Sequence, residues 1–166
     1  MSIKSITVTA ASDSALAPYG EFMTPLGKDP AFDSEVFSFW NDISVGEVNG
    51  AVSFGMVETK PGDPVTPMLE RHLQTTESLV ALDSDIILVL AEPTEGDAPN
   101  LDNVAAFRVP RGFGVTLKAG TWHYVPLITG DIPARTLVVF RQGTPAEDLE
   151  VYDLDAKQDV TIRVAV

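Results

Sequence analysis

The sequence contains no cysteine and only two histidines among its 166 residues. Without cysteine there is no disulfide, no thiolate zinc site and no thiol nucleophile, and a reducing, cytoplasmic setting is the expected one. No apolar run approaches the ~18 residues of a membrane-spanning helix, so no membrane partner is expected. The weak apolar run near the start is broken by Ser12, Asp13 and Ser14, unlike the continuous core of a secretory signal. Basic residues are scarce as well. Eleven Lys and Arg against 24 Asp and Glu leave a net charge of −13, which argues against a broad nucleic-acid surface.

That deficit is uneven. Residues 71–141 hold six basic side chains (Arg71, Arg108, Arg111, Lys118, Arg135 and Arg141) and eight acidic ones, whereas the flanks hold five and sixteen. A small anion would find its counter-charges in the middle of the chain; the plainer alternative is that the acidic ends merely keep the protein soluble.

What is present reads as β-structure. Residues 51–59 alternate in part and are rich in valine and aromatics, and residues 85–92 form a continuous β-branched run suited to a buried strand. Further strand patterns cover 104–109, 113–117, 122–127, 135–141, 149–154 and 160–164. Between them lie turn-forming clusters such as Lys60-Pro61-Gly62-Asp63-Pro64 and Pro110-Arg111-Gly112. Short strands at regular intervals predict an all-β barrel or sandwich in a single domain over 1–166, with one short helix near residues 12–18. The loop from Glu92 to Asn103 is expected to be exposed. The strand pattern at 3–10 is expected to be free to cover a neighbour's sheet edge.

Both histidines fall in patterned stretches. Glu70, His72 and Glu77 have the spacing E-x-H-x4-E, and Gly112, Lys118, Gly120 and His123 have the spacing G-x5-K-x-G-x2-H. Residues i and i+2 of a strand share a face, so Glu70 and His72 can both aim inward. A turn and an antiparallel return would bring Glu77 alongside, and another strand would add His123. Two imidazoles and two carboxylates suit Mn, Fe, Ni or Zn. The plainer alternatives are a solvated Glu77 and a Glu70 paired with Arg71 or Arg135. Arg71, next to His72, points to the opposite face and is structural. On a regular strand Trp122 and Tyr124 both face away from His123, with Trp122 in the core. Gly120 supplies the tight turn before them.

These two spacings resemble the paired motifs of the cupin superfamily, G-x5-H-x-H-x3-4-E-x6-G and G-x5-P-x-G-x2-H-x3-N. Glu70 stands at the first histidine position, His72 at the second, Glu77 at the acid and His123 at the last ligand. Ser84, Lys118 and Leu127 depart from the Gly, Pro and Asn of the pattern. The resemblance implies a double-stranded β-helix, or jelly-roll barrel.

The run Leu69-Glu70-Arg71-His72, the stretch GVTLKAGTWHYVPL, the later LVVFRQG and DLEVYDL, and ALAPYGEFM near the start also resemble the ureidoglycolate lyase family. That family usually has Gln, Phe and Pro where this chain has Glu77, Leu79 and Ala81. It often has W-H-H where Tyr124 follows His123, and an acid where Phe140 stands. The resemblance implies release of urea and glyoxylate from ureidoglycolate, a small carboxylate substrate. His72, His123 and Glu77 would be the acid–base groups, and Lys118 and Arg141 would contact the carboxylate. Glu70, His72, Glu77 and His123 would hold a divalent transition metal (Ni, Zn, Mn or Fe), if the site works with one. It also implies a homodimer. Two other readings stay open: a metal-dependent cupin enzyme of another class, an isomerase or dioxygenase, and a non-catalytic cupin that binds a small acid.

Overall fold

The run Ile86–Ala91 is buried at all six positions because it has a core on each side. Ile86, Leu88 and Leu90 enter one hydrophobic cluster, while Ile87, Val89 and Ala91 enter the other. An uninterrupted apolar run is what period-two alternation produces when neither face meets water.

The computed structural model describes residues 2–166. In chain order the strands are β1 (Ser2–Ala10), β2 (Gly20–Met23), β3 (Phe32–Asp33), β4 (Ser38–Phe39), β5 (Val52–Thr59), β6 (Val65–Thr66), β7 (Met68–Arg71) and β8 (Glu77–Ala81). They continue with β9 (Ile86–Ala91), β10 (Ala105–Val109), β11 (Gly114–Leu117), β12 (Trp122–His123), β13 (Ala134–Arg141), β14 (Glu150–Asp153) and β15 (Val160–Ala165). One sheet has the order β14-β7-β12-β9-β10-β1-β15-β6, and a second has the order β2-β11-β8-β13-β5. β3 and β4 form a separate hairpin. The first cluster takes buried side chains from both large sheets, among them Leu88 and Leu90 from β9 and Leu79 and Val138 from β8 and β13. This is the all-β cupin-type barrel that the sequence predicts.

The expected short helix is present as α1 (Asp13–Leu16), whose first turn is capped by Ser12 accepting from the Ala15 N–H at 3.2 Å. Two further short helices, α2 (Thr144–Glu147) and α3 (Leu154–Gln158), break the C-terminal strand pattern. None of the described helices is long and apolar enough to cross a membrane.

Three expectations need correction. β1 does not await a neighbour's sheet: it pairs within its own chain, Ser2–Thr7 with β15 and Val8–Ala10 with β10. β8 is no hairpin return of β7, for the two lie in different sheets and residues 72–76 carry the chain across. The pattern at 122–127 yields a strand of two residues, after which the chain leaves the ladder and rejoins β9 only at Leu127, opposite Ile87. The loop from Glu92 to Asn103 is largely exposed but pinned, since the Thr94 hydroxyl accepts from the Trp122 indole N–H at 2.9 Å.

Candidate functional site

The crossover between the sheets makes the site. β7 and β12 pair with His123 directly opposite Glu70. Glu70 and His72 share a face by alternation, so three of the four motif residues converge from one sheet. Glu77, the first residue of β8, reaches them from the other. Gly120, at φ +84°, turns the chain into β12, and its N–H donates to the His72 carbonyl at 2.6 Å.

His72 Nε2 and His123 Nε2 lie 3.2 and 2.8 Å from the same oxygen, Glu77 Oε2. His123 Nε2 is also 3.7 Å from Glu70 Oε1. The ring centroids are 5.2 Å apart. Each ring is held from behind by a backbone carbonyl: His72 Nδ1 donates to Asp148 O at 2.6 Å, and His123 Nδ1 to Thr121 O at 3.0 Å. A carbonyl can only accept, so Nδ1 carries hydrogen in both rings and Nε2 is the atom presented to the cavity.

The same atoms fit a metal. Glu77 Oε2 and His123 Nε2 are buried and in contact, yet neither makes an aligned hydrogen bond. Their attraction is chiefly coulombic. Ligand atoms of Glu70, His72 and His123 all lie within 4.8 Å of one another. Imidazoles anchored through Nδ1 with Nε2 free are the usual arrangement of histidine ligands.

Without an ion the cluster is a charge network. Burial opposes the charge on His123, but the Glu77 carboxylate outweighs it and holds the imidazolium pKa up at about 9. Burial also opposes the charge on His72, whose pKa is nevertheless raised, chiefly by its contact with Glu77. Burial alone would raise Glu77, yet the two imidazoles bring it down to about 2. The His123 contribution to stability is therefore complete below its ordinary pKa of 6.5 and disappears as pH rises through about 9. The Glu77 contribution is complete above 4.5 and disappears as pH falls through about 2. Chelated protein is expected to lose thermal stability between pH 6.5 and 9.5, more steeply than a His123→Gln chain. Identical slopes for the two would contradict the network.

The four motif residues line one end of a cavity of about 320 Å³. Its remaining walls are apolar, including Val57, Leu79, Val138 and Phe140, and the Phe140 ring stands edge-on to His72 at 5.9 Å. Lys118 and Arg141, expected from sequence to contact a substrate carboxylate, lie outside it. The Lys118 ammonium donates to the carbonyls of Ala17 and Pro18 at 2.6 and 3.4 Å. Alternation along β13 sends Phe140 inward and Arg141 outward, where its guanidinium meets Glu147 at 2.9 Å. Tyr124 does line the cavity, contrary to expectation, because the strand ends at His123 and alternation stops with it. Arg71 and Trp122 behave as expected. They stack on the far face, with the guanidinium carbon 4.4 Å from the ring centroid and Nε bonded to Glu150 at 2.7 Å.

Asp148 is the residue that sequence reasoning passed over. Its carbonyl holds His72, and its buried carboxylate accepts the N–H groups of Leu73 and Gln74 at 2.9 and 2.8 Å. It opens the DLEVYDL stretch that carried the family resemblance, but only the crossing of segments 76 residues apart reveals its task.

Solved oxalate decarboxylases match parts of the chain at low similarity. Oxalate decarboxylase from Bacillus subtilis matches with a TM-score of 0.43 and 16% identity, over 55% of this chain and 21% of that one. A formate complex of the Lactobacillus farciminis enzyme matches at 0.46 and 18%, over 64% and 28%. The matched part is thus less than a third of those chains. Among curated proteins no match is found. The family model described as ureidoglycolate lyase matches residues 3–161. A match over nearly the whole length, in a chain whose only two histidines face one cavity, means that this protein belongs to the ureidoglycolate lyase family of enzymes.

Proposed function

We propose that the protein releases urea and glyoxylate from ureidoglycolate. The observation that carries this reading is the convergence of both imidazoles and two carboxylates in one cavity, in a chain of that family. The substrate is a carbinolamide that also bears a carboxylate. In the elimination the 2-hydroxyl loses its proton, its bonding pair forms the carbonyl, and the C2–N bond breaks with its pair going to the urea nitrogen. That nitrogen takes up a proton, so the step needs no oxidant and no net water.

Glu77 is suited to carry the proton. Its carboxylate is ionised across the neutral range, as a proton acceptor must be, and it faces both imidazoles. Its position between the two Nε2 atoms fixes it at the centre of the cluster. Glu70, His72 and His123 are the residues that would hold a divalent transition ion, which when bound supplies Lewis acidity to the substrate's oxygen atoms. Asp148 and Thr121 orient the two imidazoles for that task through their carbonyls.

Ureidoglycolate turnover before and after exhaustive chelation tests the reading. Equimolar urea and glyoxylate are expected, with loss on chelation and recovery when a single metal is restored. Unchanged turnover after chelation would remove the metal from the proposal, and no product from metal-loaded protein would refute the lyase assignment. A second reading, a metal-dependent enzyme of another class, draws on Glu77 itself, a fourth donor where the family often has Gln. A stoichiometric metal in protein inert toward ureidoglycolate would favour it.

A further inference from the structure

We propose that the apolar end of the cavity is a subsite for an apolar substituent on the distal urea nitrogen, so that the preferred substrates are N-alkylated relatives of ureidoglycolate. The inference rests on the lyase reading and deepens it. Among the described residues no Lys or Arg lines the cavity; its charged and imidazole groups are Glu70, His72, Glu77 and His123, and Tyr124 is its one other polar side chain. The carboxylate and hydroxyl of a substrate belong at the His–Glu end. The urea then projects toward Val57, Leu79, Val138 and Phe140, which have nothing to offer a bare amide and leave its N–H groups without acceptors. An alkyl group there buries apolar surface instead.

Gly55 is what keeps this end open. It lies in the middle of β5, directly paired with Val138 of β13, and alternation puts it on the same face as Val57. Its φ is not in the left-handed region, so its backbone makes no demand for glycine. A Cβ added there meets nothing nearer than the Val138 carbonyl oxygen at 3.9 Å. Glycine weakens a strand interior and commonly marks a close approach by something else. Here the space beyond it is cavity, and Gly55 sets how large a substituent enters.

The test is a chain-length series. Rates are measured for ureidoglycolates carrying methyl to hexyl groups on the distal nitrogen, and calorimetric binding for the matching N-alkylureas, with folding checked by thermal denaturation. Both kcat/KM and affinity are expected to rise about fourfold per added methylene until the cavity is full. Gly55→Val should flatten both series and Gly55→Ala shorten them. Flat or falling series in the unmodified protein overturn the subsite, even where ureidoglycolate itself is turned over. A rise that survives Gly55→Val overturns the role of Gly55. Rising affinity for N-alkylureas without turnover of any ureidoglycolate keeps the subsite and refutes the lyase reading.

Discussion

Glu77→Gln is expected to lower kcat for ureidoglycolate roughly 100- to 10,000-fold while the protein stays folded and keeps its metal. Gln matches the shape of Glu but can neither accept the hydroxyl proton nor return it to nitrogen. The remaining donors, Glu70, His72 and His123, lie close enough to serve without it. Loss of the carboxylate also removes the charge that holds the His123 imidazolium near pKa 9, so both imidazoles become neutral more readily, which favours metal binding. Three measurements separate the possibilities: steady-state rate, metal per chain by elemental analysis, and thermal midpoint. A variant that loses its metal makes Glu77 a ligand. A folded, metal-loaded variant with undiminished kcat takes the proton from Glu77 altogether.

Asp148→Ala is expected to cost about 3 kcal/mol of unfolding free energy and to weaken metal binding about 10- to 100-fold. The stability loss comes from two buried backbone donors, Leu73 N–H and Gln74 N–H, left without their charged acceptor. The binding loss comes from the slackened loop, since the same residue's carbonyl fixes which nitrogen of His72 carries hydrogen. Asp148→Asn retains one acceptor oxygen and should fall between the two chains in both measurements. Chemical denaturation reads the first effect and a competitive chelator titration the second. Native stability together with native metal affinity would deny Asp148 its positioning role, and a stability loss alone would make it purely structural.

The fold was legible where the physics is local. Ile86–Ala91 could be read as a two-faced strand because a run of β-branched and aliphatic residues bounded by Asp85 and Glu92 has no polar face to offer water. Glu70 and His72 could be placed side by side because strand alternation needs only i and i+2. Arg71 and Trp122 could be sent to the far face by the same rule. After His123 the chain departs from the ladder, unlike the chain at His72, and Tyr124 accordingly turned up in the cavity.

The errors share a cause. Lys118 and Arg141 were attractive as carboxylate partners by charge type alone, but an ammonium beside two free carbonyls and a guanidinium beside Glu147 already have neighbours that no spacing discloses. β7 and β8 looked like a hairpin because adjacent strands usually pair, whereas here the chain changes sheet between them. That change is what lets Glu77 face His72 and His123 from across the barrel.

By itself, then, the sequence determined the inventory and the periodicity: an all-β chain, no thiol chemistry, two imidazoles with acids at spacings that a strand turns to one side. Tertiary structure decided what those groups meet. Which carbonyl locks each ring, which cations are already engaged, and how much room Gly55 leaves are contacts between segments dozens of residues apart. Their geometry is set by sheet order and register, which local propensity does not encode.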